Sequence, residues 1–270
     1  MSNLKGMKSI WMIRGRLAAV GVCMIALIDP AWAGTDTGAS AAAINQAGRQ
    51  RMLTQRIVLV YCQIGLGVAH SQSQAQLAQA IALFENQLTG LEVGAPTQQV
   101  AETLVNVRKL WEPFRSIAEA PVERDGAAML LYLNDDLLHA SNKVVQLLQD
   151  ISGQSHARLV NIAGRQRMLS QRAAKFYMLT EWGFDTLTIR DELEAAKNDF
   201  AGGLAALRRA PQNTAEIDAA LDAIDDQWAW FRNSLNLRGD GTFRQIVAET
   251  SEAILNRLER LIGDYQRLDE

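Results

Sequence analysis

Two stretches of this chain each set three arginines within eight residues, with no acidic residue among them. They are Asn45-Gln-Ala-Gly-Arg-Gln-Arg-Met-Leu-Thr-Gln-Arg56 and Asn161-Ile-Ala-Gly-Arg-Gln-Arg-Met-Leu-Ser-Gln-Arg172. Ten of the twelve positions carry the same residue, at an offset of 116. A guanidinium is planar, permanently charged and forked, so such a cluster suits a small planar oxyanion that accepts paired hydrogen bonds. If the two copies face each other, Arg51 and Arg167 converge on one point, where they repel and are costly to desolvate. A bound anion relieves both problems, and Gln55 and Gln171 would add amide donors. This argument favours a small anion without choosing among nitrate, nitrite, carbonate or a carboxylate. The competing reading is structural: each arginine pairs with an acid such as Glu85, Asp135, Asp136 or Glu181, in the weak surface pairs common to most proteins.

Helices must position these residues. At 100° per residue, Leu53, Ile57, Val60 and Ile64 fall on one side of a helix and face the core of their own bundle. Gly48, Arg51, Met52 and Gln55 fall nearly opposite, toward solvent or another helix. Gly48 and Gly164 cost about 1 kcal/mol each in helix propensity, so a packing reason is expected, such as close approach of that second helix.

The duplication extends through the rest of the chain. Leu83-Phe84 answers to Asp199-Phe200. Val100, Leu104, Val107, Trp111 and Phe114 answer to Ile217, Leu221, Ile224, Trp228 and Phe231, now at an offset of 117, with one residue added near Pro96 and Pro211. Leu137, Val144 and Leu148 answer to Ile254, Leu261 and Tyr265. Steps of three and four mark the buried stripe of an amphipathic helix, and strand and hairpin signals are missing. Helices are expected over 40–68, 71–92, 97–118 and 126–151, then 156–182, 187–208, 213–236 and 242–267. Thr97 is the expected cap of the third helix, and Thr242 with Gln245 a capping box for the last. The fold class is therefore all-α: two tandem up-and-down four-helix bundles related by internal duplication.

Residues 1–33 read as a signal peptide. Lys5, Lys8, Arg14 and Arg16 precede an apolar run from Leu17 to Ile28, and Ala31-Trp-Ala33 forms a small-residue cleavage site. Twelve helical residues span about 18 Å, short of the roughly 30 Å of a bilayer core. Retention as a membrane anchor is the minor alternative to a periplasmic protein. The first bundle is assigned to 34–153 and the second to 154–270. Against 27 basic and 30 acidic residues in all, the signal removes four bases and one acid, leaving an acidic surface that excludes nucleic acid as a partner. Cys62 is left alone and reads as a buried small hydrophobe. His70, His139 and His156 lack metal-ligand spacing, the adjacent Asp135-Asp136 and Asp225-Asp226 point apart, and Trp111 and Trp228 read as core anchors. No enzyme and no cofactor are expected.

The motif Ala-Gly-Arg-Gln-Arg-Met-Leu-Ser-Gln-Arg resembles the signature of the PilJ-type, or NarX-like, periplasmic sensor domain of nitrate- and nitrite-sensing kinases and chemoreceptors. The resemblance covers the whole mature chain twice. It implies that nitrate is held between first helices by the arginine preceding methionine, here Arg51 and Arg167, with Gly48, Gly164, Arg56 and Arg172 as neighbouring motif positions. Where nitrate sensors of that family usually have Ser-Leu-Arg-Met, this chain has Arg49-Gln-Arg-Met52, so Arg49, and with it Arg165, flanks the expected site. The family's transmembrane helices and output domain are not seen in the sequence. The chain is expected to need a membrane receptor or sensor kinase partner, or to serve as a binding protein. The alternative is a helical docking protein for a chemoreceptor or pilus-associated partner with no small ligand. A turn at Ser152-Gly-Gln-Ser155 would lay the bundles side by side with the motif helices parallel. An unbroken helix there would stack them end to end, leaving each motif to pair within a homodimer.

Overall fold

The computed structural model describes residues 39–153 and 155–268; the signal peptide expected at 1–33 lies outside them. The described residues form eight helices: α1 (Ala41–Gly65), α2 (His70–Val93), α3 (Gln98–Glu119), α4 (Arg124–Ser152), α5 (Ser155–Glu181), α6 (Leu187–Arg208), α7 (Ala215–Ser234) and α8 (Gly241–Arg267). No strand occurs among the described residues.

Each repeat closes a ring of four helices. In the first, α1 and α3 each pack on α2 and α4; in the second, α5 and α7 each pack on α6 and α8. The stripe read from the sequence of α3, from Val100 to Phe114, is buried throughout, as is its counterpart from Ile217 to Phe231 on α7. Burying each large apolar side chain contributes about 1.5–3 kcal/mol. Trp111 stacks on Phe84 with ring centroids 4.0 Å apart, and Trp228 stacks on Phe200 at 3.7 Å. The Trp111 indole donates to Glu85 Oε2 at 2.8 Å, whereas the Trp228 indole finds no acceptor among the described residues.

Short polar caps stop and start the helices. Thr97, Thr186 and Thr214 each accept a hydrogen bond from the third residue onward. Asp240, not Thr242, caps α8: its side chain accepts from Thr242 N, and the helix already runs from Gly241. The capping box expected at Thr242 and Gln245 is thus displaced by an aspartate two residues earlier. An aspartate at that position accepts well and also favours the positive end of the helix dipole.

Gly153 ends α4 with φ +62°, a left-handed conformation that glycine adopts without penalty, and the chain turns back there. The two rings therefore lie side by side, and α1 and α5 form the most extensive helix–helix interface in the protein. These two helices run parallel. Gly48 faces Arg167, Arg56 reaches Gln171, and Gly65 lies against Trp182, in the same order along both. From Gln50 to Ile64, α1 is buried except at Arg56, because its own ring covers one side and α5 the other. A helix enclosed on every side explains why its polar face is not a solvent face.

Candidate functional site

The arginines meet where α1 and α5 cross. A Cβ placed on Gly48 would sit 3.4 Å from Arg51 Nη2 and 3.6 Å from Arg167 Nη2, so the two atoms are no farther apart than the sum of those distances. Gly164 stands in the same relation, at 3.5 and 3.7 Å. The nearest neighbours of both glycines are thus guanidinium tips at ordinary contact distance, not the backbone of the facing helix. Arg51 is 2% exposed and Arg167 is fully buried.

A pseudo-twofold axis relates the contacts. Arg51 Nη2 donates to Asn161 Oδ1 at 2.8 Å on α5, while Arg167 Nη2 reaches across to the carbonyl of Asn45 on α1 at 3.3 Å. Within its own repeat, Arg51 Nη1 donates to Asn142 Oδ1 on α4 at 2.9 Å. Its counterpart, Arg167 Nη1, donates to Glu259 Oε2 on α8 at 2.7 Å. Asn142 and Glu259 are equivalent positions at the offset of 117. Arg167 therefore has a carboxylate partner, and Arg51 has none among the described residues. The Nε of each arginine finds no acceptor among the described residues.

Electrostatics follow this asymmetry. Burial, with Arg167 and Arg165 adding repulsion, lowers the Arg51 pKa to about 9. Burial also lowers Arg167, to about 10, but Glu259 opposes the drop. For Glu259 itself, burial pushes the carboxyl up, yet Arg167 and Arg49 outweigh it and hold it below the usual carboxylate range.

The remaining motif residues are placed as follows. Arg49 joins the cluster from its rim, donating to both Glu259 oxygens from Nε at 3.3 Å and Nη2 at 2.7 Å. Arg165 does not: it is exposed on the outside and pairs with Asp199 at 2.7 Å. Arg56 and Arg172 tie the repeats together farther along, Arg56 to Glu252 on α8 and Arg172 to Asp135 on α4 at 3.5 Å and to Glu192 at 2.7 Å. Gln55 and Gln171 spend their donors inside the rings, Gln55 on Thr54 and Asn134, and Gln171 on the Ser251 carbonyl. Of the acids named as structural partners, Asp135 alone reaches a motif arginine; Glu85 pairs with Arg108 and Arg115, and Glu181 with Arg238 and Arg244.

Sequence reasoning missed four contacts of the pair. Asn45 and Asn161 open the two motif copies and were in plain view as a conserved step of the repeat within this chain. Asn142 and Glu259 lie 91 and 92 residues from their arginines, and only the 117-residue alignment of the repeats could have paired them. Lys175 was also missed. It stands fully buried where the first repeat has Leu59, donates to Asn134 Oδ1 at 2.8 Å, and burial with nearby Arg172 lowers its pKa to about 7. Cys62 is buried, and burial pushes its thiol up to about 12, far from a reactive thiolate. Among the described residues no cluster of His, Cys, Asp and Glu is placed to hold a metal ion, and no helix is long and apolar enough to cross a membrane.

Two four-helix repeats joined along a cation-rich polar seam define a tandem helical-bundle module built for contact between its central helices. The chain belongs to the PilJ family, the N-terminal domain of type IV pili methyl-accepting chemotaxis transducers, which matches residues 32–135 and again 152–267. That family is a helical signalling domain, not a catalytic one. Comparison with curated proteins found no match, and comparison with solved structures found none.

Proposed function

We propose that the chain is an exported periplasmic sensor module in which the paired motifs hold a small oxyanion, nitrate or nitrite, between Arg51 and Arg167. One observation carries this reading: two guanidiniums meet inside the protein with a single carboxylate beside them, leaving Arg51 uncompensated. A buried cation without a counter-charge is costly, and a forked oxyanion restores the balance through charge-assisted hydrogen bonds. Membership of a chemotaxis-transducer family supports a sensory role, with a membrane receptor or sensor kinase as the partner that carries the signal. Export rests on the signal peptide of residues 1–33.

Calorimetric titration of the mature protein with nitrate, nitrite and chloride tests the proposal. Nitrate or nitrite should release heat that Arg51→Ala and Arg167→Ala abolish. Heats unchanged by either substitution would refute it.

A second reading is favoured by the closure of the seam. Both arginines are buried, their terminal nitrogens already have protein acceptors, and the larger grooves lie elsewhere on the molecule. In that reading the arginine pair locks the two repeats together, and the module acts as a helical docking protein without a small ligand. Absence of heat from every anion selects it.

A further inference from the structure

The two repeats differ in the charge of one contact of the arginine pair. Where α8 presents Glu259, α4 presents Asn142, and each binds Nη1 of its own repeat's arginine. Asn142 satisfies Arg51 without neutralising it. Glu259 does more: its Oε2 accepts from Arg167 Nη1 and from Arg49 Nη2, both at 2.7 Å, as an incoming anion's oxygen would. The cluster thus sets the guanidiniums of Arg51, Arg167 and, at its rim, Arg49 against one carboxylate, which Arg167 and Arg49 share.

Glu259, like Arg49 at the rim, is a member of the cluster that solvent can reach. Its side chain is 28% exposed and lines a groove of 510 Å3 together with Arg257, Arg260 and the Arg267–Asp264 ion pair. Arg257 and Arg260 thus stand in the groove that opens onto the carboxylate, whose other side touches the buried Arg167.

Resting on the reading of the seam as an anion site, we propose that Glu259 is a tethered internal anion that sets its charge selectivity. With Glu259 in place, Arg167 and Arg49 already share a carboxylate and Arg51 is the buried guanidinium left to be balanced, which a monoanion such as nitrate can do. A dianion such as sulfate meets the Glu259 carboxylate at close range in a medium that screens poorly. Removing that carboxylate without changing its shape removes this repulsion. Adding a carboxylate at the equivalent position gives Arg51 a carboxylate of its own and leaves neither buried arginine open to an anion.

The experiment is calorimetric titration of the mature chain with nitrate and with sulfate at constant ionic strength, for the wild type, Glu259→Gln and Asn142→Glu. Wild type should favour nitrate by about tenfold or more, a difference of about 1.4 kcal/mol. In Glu259→Gln the ratio should move toward sulfate by at least about tenfold. Asn142→Glu should bind neither anion; should it fail to fold by circular dichroism, the shorter Asn142→Asp takes its place. A melting temperature raised by sulfate in Glu259→Gln but not in wild type gives the same result by a second route. If nitrate binds but its ratio to sulfate is the same in wild type and Glu259→Gln, the role of Glu259 is overturned while the anion site stands. If neither anion binds any of these proteins, the anion site itself is refuted, and this role with it.

Discussion

Arg51→Met and Arg167→Met are the same substitution at equivalent sites, and the structure expects them to differ in cost. Methionine keeps much of the aliphatic stem and removes the charge. Burial depresses both guanidiniums, and Glu259 opposes the drop at Arg167 while nothing comparable does so at Arg51, so holding Arg51 charged is the more costly. Losing Arg51 therefore relieves more strain. Losing Arg167 also strips Glu259 of one of its two arginines, and a part-buried carboxylate left half paired adds on the order of 1 kcal/mol. Together these make Arg167→Met the more destabilising, by on the order of 1 kcal/mol. The measurement is urea unfolding in a buffer without oxyanions, followed by tryptophan fluorescence, which reports the stacked Trp111 and Trp228. Comparison at equal denaturant slope gives the difference in stability. Equal costs, or a larger cost at Arg51, would show that Glu259 does not distinguish the two arginines energetically.

Other consequences are open to the same measurement. Lys175 has a folded pKa near 7, below its ordinary value, so the folded state bears the cost of its charge below pH 7 and is relieved as pH rises toward 10.5. Lys175→Met should therefore stabilise most below pH 7, with the gain shrinking by up to about 1.4 kcal/mol per pH unit above it; a gain independent of pH would contradict this. Glu259 has a depressed folded pKa, so its contribution is fully present above its unfolded value of about 4.5 and is lost as pH falls below it. The stability gap between wild type and Glu259→Gln should accordingly close in acid, and a gap that widens there would count against the ion pair. Gly48→Ala meets only guanidinium tips at ordinary contact distance and should gain up to about 1 kcal/mol of helix propensity. By contrast, a Cβ on Gly65 would overlap the Trp182 indole, so Gly65→Ala should cost about 1–3 kcal/mol, read as a lowered melting temperature.

The parts of the fold that sequence made legible are those where one helix face is buried and the other is wet. Val100 to Phe114 and Ile217 to Phe231 are such faces, and their spacing alone marks the core. The central helices carry no such contrast. Gly48, Arg51, Met52 and Gln55 lie opposite the apolar stripe, which leaves either solvent or another helix as their neighbour, and the structure buries them, with α5 alongside. Gln55 and Gln171 share the helix with the arginines but turn toward Asn134 and Ser251, so proximity in sequence misassigned them as donors for the seam. Arg165 went astray for a related reason. The acid that holds Arg49 in the cluster is Glu259, and its counterpart Asn142 offers no charge to draw Arg165 in, so Arg165 pairs outward with Asp199.

The turn at Gly153 has a final consequence. An assembly of two identical subunits must carry every residue twice, so a mutation at its axis appears on both sides at once. Fusion into a single polypeptide removes that constraint: one side can acquire a glutamate while the other keeps an asparagine. The tether also holds the halves at a high effective concentration, so their association does not depend on protein abundance. A seam built this way can evolve an odd number of charges, which a homodimer cannot.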